Sequence, residues 1–303
     1  MEHHKQAAER FVKKHFGDRA RNLVSLASGD WSRAYAFSLD GRDRVIRFGS
    51  YRSDFEKDQA MGHLSMASLP IPKIMEIGET ENEYFAVSER VQGDKHLDEL
   101  NESEMRVVLP QLLDALCELQ KQDLASTQKV GIWRPEGSGR SWGGELLEVA
   151  GPRDRLAGWR EKLENFSRET RIFDAGVIKL RQLVPRLPEN RGIVHNDLLN
   201  RNVLIGNSKL TGVFDWGNAF FGDPLYDHAL FLYWWSWFPR WQGIDLKEIM
   251  DLHWDKRGGP PERMKERLLA CLIHIGLDHI AYCAFRERTD DMKRNADQLS
   301  LYI

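Results

Sequence analysis

The stretch IVHNDLLNRNVLIGNSKLTGVFD, residues 193–215, constrains the fold of this chain more than any other. Gly192-Ile193-Val194 reads as a short apolar strand delivering His195-Asn196-Asp197 to a loop. Asn202 follows Asp197 by five residues and opens a second strand, Val203-Leu204-Ile205. Asn207-Ser208 supplies a turn, and Leu210–Phe214 returns as a further strand ending at Asp215. Such a hairpin carries three oxygen-bearing side chains, Asp197, Asn202 and Asp215, to one end of a small sheet. A lone Asp or Asn in a hairpin is ordinary turn chemistry. Three at this spacing, framed by strands of the right length, ask for a chemical reason.

Phosphoryl transfer supplies one. It needs a group that orients the attacking hydroxyl and accepts its proton, and hard cations bridging the phosphates, held by carboxylate and amide oxygens. The spacing H-x-D-x-x-x-x-N followed by a strand-terminal Asp is that of the protein-kinase catalytic loop. On this reading Asp197 is the base, Asn202 a Mg2+ ligand and Asp215 the main Mg2+ ligand, while His195 braces the loop through hydrogen bonds. A metal-dependent hydrolase fits less well, because the extra His and carboxylate ligands of such sites are missing.

The rest of the chain is β-rich in front and helical behind. Residues 4–16 have helical periodicity ended by Gly17-Asp18, and short strands follow at Leu23–Ala27, Ala34–Leu39 and Arg44–Phe48. A helix is expected from about Ser53 to Ala67, opened by a capping box of Ser53 with Glu56. Lys73–Gly78 and Tyr84–Arg90 complete a five-stranded antiparallel sheet with one helix. Further helices are expected at Val107–Gln122, Arg155–Arg171, Ala175–Leu187, Pro224–Trp237, Asp245–Trp254 and Pro261–Arg286. Gly131–Gly151 reads as an irregular loop and Arg286–Ile303 as polar helix or fraying end. The organisation is α+β, with residues 1–92 as a nucleotide-binding lobe and 93–303 as a catalytic and acceptor-binding lobe.

Charge and cysteine usage narrow the partners. With 43 basic and 46 acidic residues the net charge is -3, which provides no electrostatic footprint for nucleic acid or an anionic membrane. The apolar stretch around Ala229–Trp235 is too short to span a bilayer, and MEHHKQAAERF lacks the apolar core of a signal peptide. Cys117, Cys271 and Cys283 fit no metal spacing and are expected to be reduced thiols of a cytoplasmic, monomeric protein.

HNDLLNRN followed by FDWGNAFFGDPLYD resembles the aminoglycoside phosphotransferase and choline kinase superfamily, nearest within it to the hygromycin B phosphotransferases. The similarity extends through SGDWSRAYAF, SLPIPKIMEIGE and the late IGLDHI, covering nearly the whole chain. It implies a bilobal protein-kinase-like fold and an ATP-dependent, Mg2+-requiring transfer of phosphate to a small-molecule hydroxyl, with GTP an open alternative. It also implies that Ser28-Gly29-Asp30-Trp31-Ser32 is the turn over the nucleotide phosphates, although its single glycine is a weak signal by itself. Arg47 stands where such kinases place a lysine for the α- and β-phosphates; the alternative is a solvated strand charge. Its partner acid is expected to be Asp58, with Glu56 the alternative. Ser88-Glu89-Arg90-Val91 resembles the interlobe hinge, where backbone groups around Ser88 and Arg90 read the adenine edge before Gly93 bends the chain. Asp223 and Asp227 of GDPLYD are expected to be mainly architectural.

The acceptor is the least constrained element. Trp216, Trp234, Trp235, Trp237, Trp241 and Trp254 crowd the helical half; core packing is the default for Trp234 and Trp235, and some of the rings could line a sugar-binding face. Carboxylates would hold a cationic aminoglycoside such as hygromycin B; Asp227 and Asp278 are the candidates, with Glu145 and Asp251 more simply read as surface charges. Two other functions compete: a metabolite kinase acting on choline, a sugar or an amino alcohol, and a degenerate, non-catalytic nucleotide-binding protein. The intact Asp197, Asn202 and Asp215 speak against the degenerate reading, and Arg47 speaks slightly for it.

Overall fold

The computed structural model describes residues 2–29, 31–122 and 140–303. Along the chain run α1 (Glu2–Phe16), β1 (Ala20–Ser28), β2 (Ser32–Leu39), β3 (Arg42–Gly49), α2 (Arg52–Gly62), β4 (Ile74–Glu79), β5 (Tyr84–Glu89) and β6 (Lys95–His96). Then come α3 (Glu102–Leu119), α4 (Trp142–Leu147), α5 (Trp159–Glu164), α6 (Ser167–Leu183), β7 (Gly192–Val194), β8 (Val203–Gly206) and β9 (Lys209–Val213). The last are β10 (Phe220–Gly222), α7 (Leu225–Trp234), α8 (Leu246–Asp255), α9 (Met264–Phe285) and α10 (Thr289–Leu299). They form two compact units, residues 1–99 with 197–218 and residues 100–196 with 219–303. Where the sequence suggests one boundary after residue 92, both units are discontinuous, and the first takes in the catalytic hairpin.

The first unit is built on an antiparallel sheet of order β1-β2-β3-β5-β4. Alternation decides its faces, since successive side chains of a strand point to opposite sides. Tyr35, Phe37, Ile46, Phe48, Phe85 and Val87 bury one side against Ala8, Val12 and Phe16 of α1. Phe55 of α2 packs with Ile74 and Ala86. A three-stranded sheet, β6-β8-β9, completes the unit. The turn between β8 and β9 puts Asn207 and Ser208 at φ 51 and 57. Positive φ at both central residues suits the right-handed twist of a two-residue hairpin.

The second unit centres on α9, packed by α5, α6, α7 and α10. Length and composition alone would let α9 cross a bilayer, contrary to the expectation that every apolar stretch is too short; most of it is buried in the core of this unit. The chain between α10's ends is no fraying tail, since Met292, Asn295, Ala296 and Leu299 are buried. At the other side of the unit Gln120 ties α3 to β7, donating to the Ile193 carbonyl at 2.9 Å and accepting from its N–H at 2.9 Å. A side chain at Gly192 would collide with the Gln120 amide, which is why glycine stands there.

Several expected boundaries move. The Ser53–Glu56 capping box is not formed: α2 begins at Arg52, its N-cap is Tyr51 without a side-chain bond, and Glu56 pairs instead with Arg52 at 2.8 Å. Such a box does open α3, between Asn101 and Glu104. The expected helix 155–171 breaks at Phe166, where φ -121 and ψ 85 leave the helical region, so α6 runs straight through the expected gap at 172–174. Within the expected loop 131–151, residues 142–147 are helical, capped by Ser141, whose hydroxyl accepts from Gly144 N–H at 3.1 Å; residues 131–139 lie outside the described residues.

Candidate active site

Asp197, Asn202 and Asp215 all lie in the first unit. Asn202 opens β8, and its Nδ2 donates to the main-chain carbonyl of Asp197 at 2.8 Å. That bond spans the five residues of the loop and fixes the amide orientation, turning Oδ1 away from the Asp197 carbonyl. Asn200 donates to one carboxylate oxygen of Asp197, and Asn218 to the other at 3.1 Å. Burial raises Asp197 to about 7, and the Asp215 carboxylate pushes in the same direction, while the bonds from Asn200 and Asn218 oppose them. Sequence reasoning passes over both asparagines, although both stand within the motifs that carry the resemblance.

The loop holds unusual backbone. Arg201 and Asp215 have φ 63 and 61, a region costly for residues with a Cβ and concentrated at functional sites. Arg201 is held there from both sides by Asp98 at 3.3 Å and Glu99 at 2.8 Å.

Arg47 extends from the middle of β3 and is nearly buried, with 13% of its side chain exposed, which rules out the solvated-charge alternative. It pairs with Asp58, donates to Asp215 Oδ1 at 3.2 Å and lies over the Phe55 ring. Asp58 is therefore the partner acid, and Glu56 is on the surface with Arg52. The second oxygen of Asp58 accepts from the Trp216 N–H at 2.7 Å. Burial pushes Asp58 up against the pull of Arg47, whose own charged form the two acids stabilise. From α2, Lys57 donates to the Gly217 carbonyl at 2.6 Å, a second tie to the segment after Asp215.

The expected nucleotide contacts are distributed along the sheet. Gly29 N–H donates to the Ser32 carbonyl at 3.0 Å, closing the turn after β1; Ser28 pairs with Arg33, and Asp30 lies outside the described residues. Ser88 is buried near the end of β5, paired with Val45 and Ile74, and Arg90 just beyond it is exposed.

The second unit positions the loop's entry. Asp227, at the start of α7, is 2% exposed, and its two oxygens accept from the N–H groups of His195 and Asn196, each at 2.9 Å. Both contacts are architectural, and so small an exposure is at odds with the substrate role also considered for Asp227. Burial raises it to about 6 against the opposing pull of the two N–H groups. Asp223 is likewise buried, bridged by Arg267 at 2.6 and 2.7 Å, and caps Leu225 N–H. Asp278 pairs with Arg153 at 2.5 Å, so its charge is already matched. Glu145 approaches Arg140 at 3.6 Å, and exposed Asp251 pairs with Lys247. Trp142, Trp159 and Trp241 of this unit are buried, whereas Trp234 and Trp235, expected in the core, are half-buried, with Trp234 packed against the core. Trp234 meets His279 and Trp237 edge-on, and Arg294 stacks on Trp237 at 3.8 Å.

Known proteins share this arrangement. The model of the phosphotransferase enzyme family matches residues 24–266. The hygromycin-B 4-O-kinase of Escherichia coli is 31% identical over 278 residues, 90% of this chain and 78% of that protein. A thermostable mutant of the aminoglycoside phosphotransferase APH(4)-Ia, solved as a ternary complex with AMP-PNP and hygromycin B, superposes with a TM-score of 0.81 at 29% identity, covering 98% of this chain and 97% of that one. ADP-bound APH(2'')-Ib shares the fold at a TM-score of 0.64 and 16% identity, with 98% of each chain covered. The chain thus belongs to the phosphotransferase enzyme family, and it is a kinase of protein-kinase-like α+β fold that phosphorylates an alcohol group.

Proposed function

We propose that this kinase transfers the γ-phosphoryl group of ATP to a hydroxyl of an aminoglycoside antibiotic of the hygromycin B type, conferring resistance. One observation carries the reading: Asp197 is held by Asn200 and Asn218 on the same loop and hairpin that present Asn202 and Asp215. In this reading Asp197 orients the acceptor hydroxyl and takes its proton; a group poised near neutral pH suits that task. Arg47, fixed by Asp58, contacts the α- and β-phosphates with a planar fork in place of an ammonium. Asn202 Oδ1 and the Asp215 carboxylate form an all-oxygen donor set, which fits Mg2+. When bound, Mg2+ offsets charge on the phosphates in the transition state. Main-chain groups of the turn at Ser28-Gly29 cover the phosphates, and those around Ser88 and Arg90 read the adenine edge.

By function, residues 1–92 bind the nucleotide and 93–303 carry the catalytic residues and the acceptor, although hairpin 197–218 groups with the first compact unit, and the protein acts as a cytoplasmic monomer. The E. coli relative, named for its action on hygromycin B, favours that antibiotic over choline, sugars or amino alcohols. The test is nucleotide consumption with Mg2+ across hygromycin B, other aminoglycosides and small amino alcohols. Stimulation by hygromycin B supports the reading. Stimulation by an amino alcohol alone selects the metabolite kinase, and no turnover with any acceptor selects the degenerate protein.

A further inference from the structure

Three metal-type donors meet in the second unit, within a single cluster formed by α3, α7 and α8. The ligand atoms of Cys117, His228 and His253 all lie within 4.8 Å of one another. Cys117 Sγ and His253 Nε2 are 3.4 Å apart. A tetrahedral ion with Zn–S near 2.3 Å and Zn–N near 2.0 Å separates two such ligands by roughly 3.5 Å. The pair therefore already has the spacing that coordination requires.

Two further features favour an ion over a simple thiol–imidazole contact. His253 Nδ1 stands 3.1 Å from Asp114 Oδ1 and 3.2 Å from Arg257 Nη1; with the Nδ1 proton directed to Asp114, as in carboxylate–histidine metal sites, Nε2 is left to bind an ion. His228 is 3% exposed, yet among the described residues neither ring nitrogen has a well-formed hydrogen bond. Burial outweighs the hydrogen bond to the nearest acceptor, the Pro224 carbonyl one turn earlier, which favours the charged ring. A buried imidazole without a proper partner is costly, and a bound ion would remove that cost. Asp114 and His253 also line an open groove of about 210 Å³, which provides an entry path. Arg257 pairs with Asp114 at 2.8 Å and also bonds to the Cys117 thiol, where, against burial, its charge favours the thiolate.

We propose that Cys117, His228 and His253 form a binding site for a thiophilic transition-metal ion, Zn2+ by preference, with a fourth position open to water. The site is separate from the oxygen donors Asn202 and Asp215, whose hard character suits Mg2+. Binding replaces the Cys117 thiol proton, which leaves to solvent.

Chelator-treated full-length protein, titrated with Co2+ without nucleotide, tests this directly. The expected result is one equivalent bound, with tetrahedral visible bands and a thiolate-to-cobalt charge-transfer band, both displaced by Zn2+. Cys117→Ser should lose the charge-transfer band although Cys271 and Cys283 remain. Asp114→Asn, on a half-exposed side chain, should weaken the affinity by about 10–100-fold. Absence of the band at saturating Co2+ overturns the proposal. So does a band that survives in folded Cys117→Ser, or an affinity unmoved in Asp114→Asn.

Discussion

Asp58 Oδ1 accepts a hydrogen bond from the Trp216 main-chain nitrogen at 2.7 Å, across 158 residues of chain, while its other oxygen pairs with Arg47. One buried acid thereby locks Arg47 of β3 to the segment just after Asp215. Removing one partner of a buried pair leaves the other charge uncompensated, which costs about 3–5 kcal/mol. Arg47→Ala should thus both lower the melting temperature and weaken nucleotide use. Arg47→Lys keeps a charge for Asp58 but loses the fork that also reaches Asp215. It should retain the fold and a measurable fraction of kcat/KM for ATP. Thermal melts with steady-state kinetics on both variants check this; equal kinetic losses would remove the phosphate role assigned to the arginine's charge.

Asp197→Asn removes the proposed proton acceptor while keeping a side chain of the same shape. General-base catalysis contributes on the order of 10²–10⁴ in rate, so kcat should fall within that range. Nucleotide affinity should change little, since Asn202 and Asp215 are untouched. Single-turnover phosphorylation beside a nucleotide-binding isotherm separates the two, and wild-type kcat in this variant would sink the base assignment.

What was legible in the sequence follows from where the information lies. The Asp197–Asp215 hairpin announces itself because strand, turn and ligand signals are all local; Asn207-Ser208 adopts the positive φ values its residue types tolerate. The pairing of Arg47 with Asp58 came from the resemblance, not from spacing. The Asp58 bond to Trp216 and the Gln120 bracket on Ile193 join residues 158 and 73 apart, and nothing in either neighbourhood signals the other. Phe166 breaks a helix without glycine or proline, so periodicity alone runs through it. Ser141 did carry a cap signal, which the surrounding Gly and Trp residues masked.

Asp223 and Arg267 form the other deeply buried ion pair, 1% and 7% exposed, tying the start of α7 to α9. Arg267→Met should cost about 3–5 kcal/mol, because it leaves the Asp223 carboxylate buried without its cation, with the bond from Leu225 N–H remaining. The double variant Asp223→Asn with Arg267→Met should recover much of that loss. Urea unfolding of the wild type, both single variants and the double variant measures the coupling; additive single effects would show that the pair is not a unit.

The last prediction concerns acid stability. Tyr226 keeps its hydroxyl proton, since burial raises it, so the 2.7 Å contact with His274 Nδ1 is a bond from tyrosine to a neutral imidazole. Burial lowers His274 to about 4, with Arg153 pushing the same way and Asp278 opposing. Between pH 6.5 and 4 the unfolded chain binds a proton there that the folded protein refuses. Stability is therefore full above pH 6.5 and lost as pH falls through that window. His228 and His279, also lowered to about 4, act in the same direction. Asp227 acts in the opposite one: raised to about 6, it takes up a proton in the folded state first and gains stability as pH falls. Asp197, raised to about 7, and buried Asp58, also raised, act with Asp227, so the overall slope sums terms of both signs and the His274 contribution is read from its own variant. His274→Asn should lower the slope of unfolding free energy against pH between 6.5 and 4, even where it lowers stability at pH 7. An unchanged slope in that variant would mean that His274 is protonated in the folded protein and that Tyr226 is not its donor.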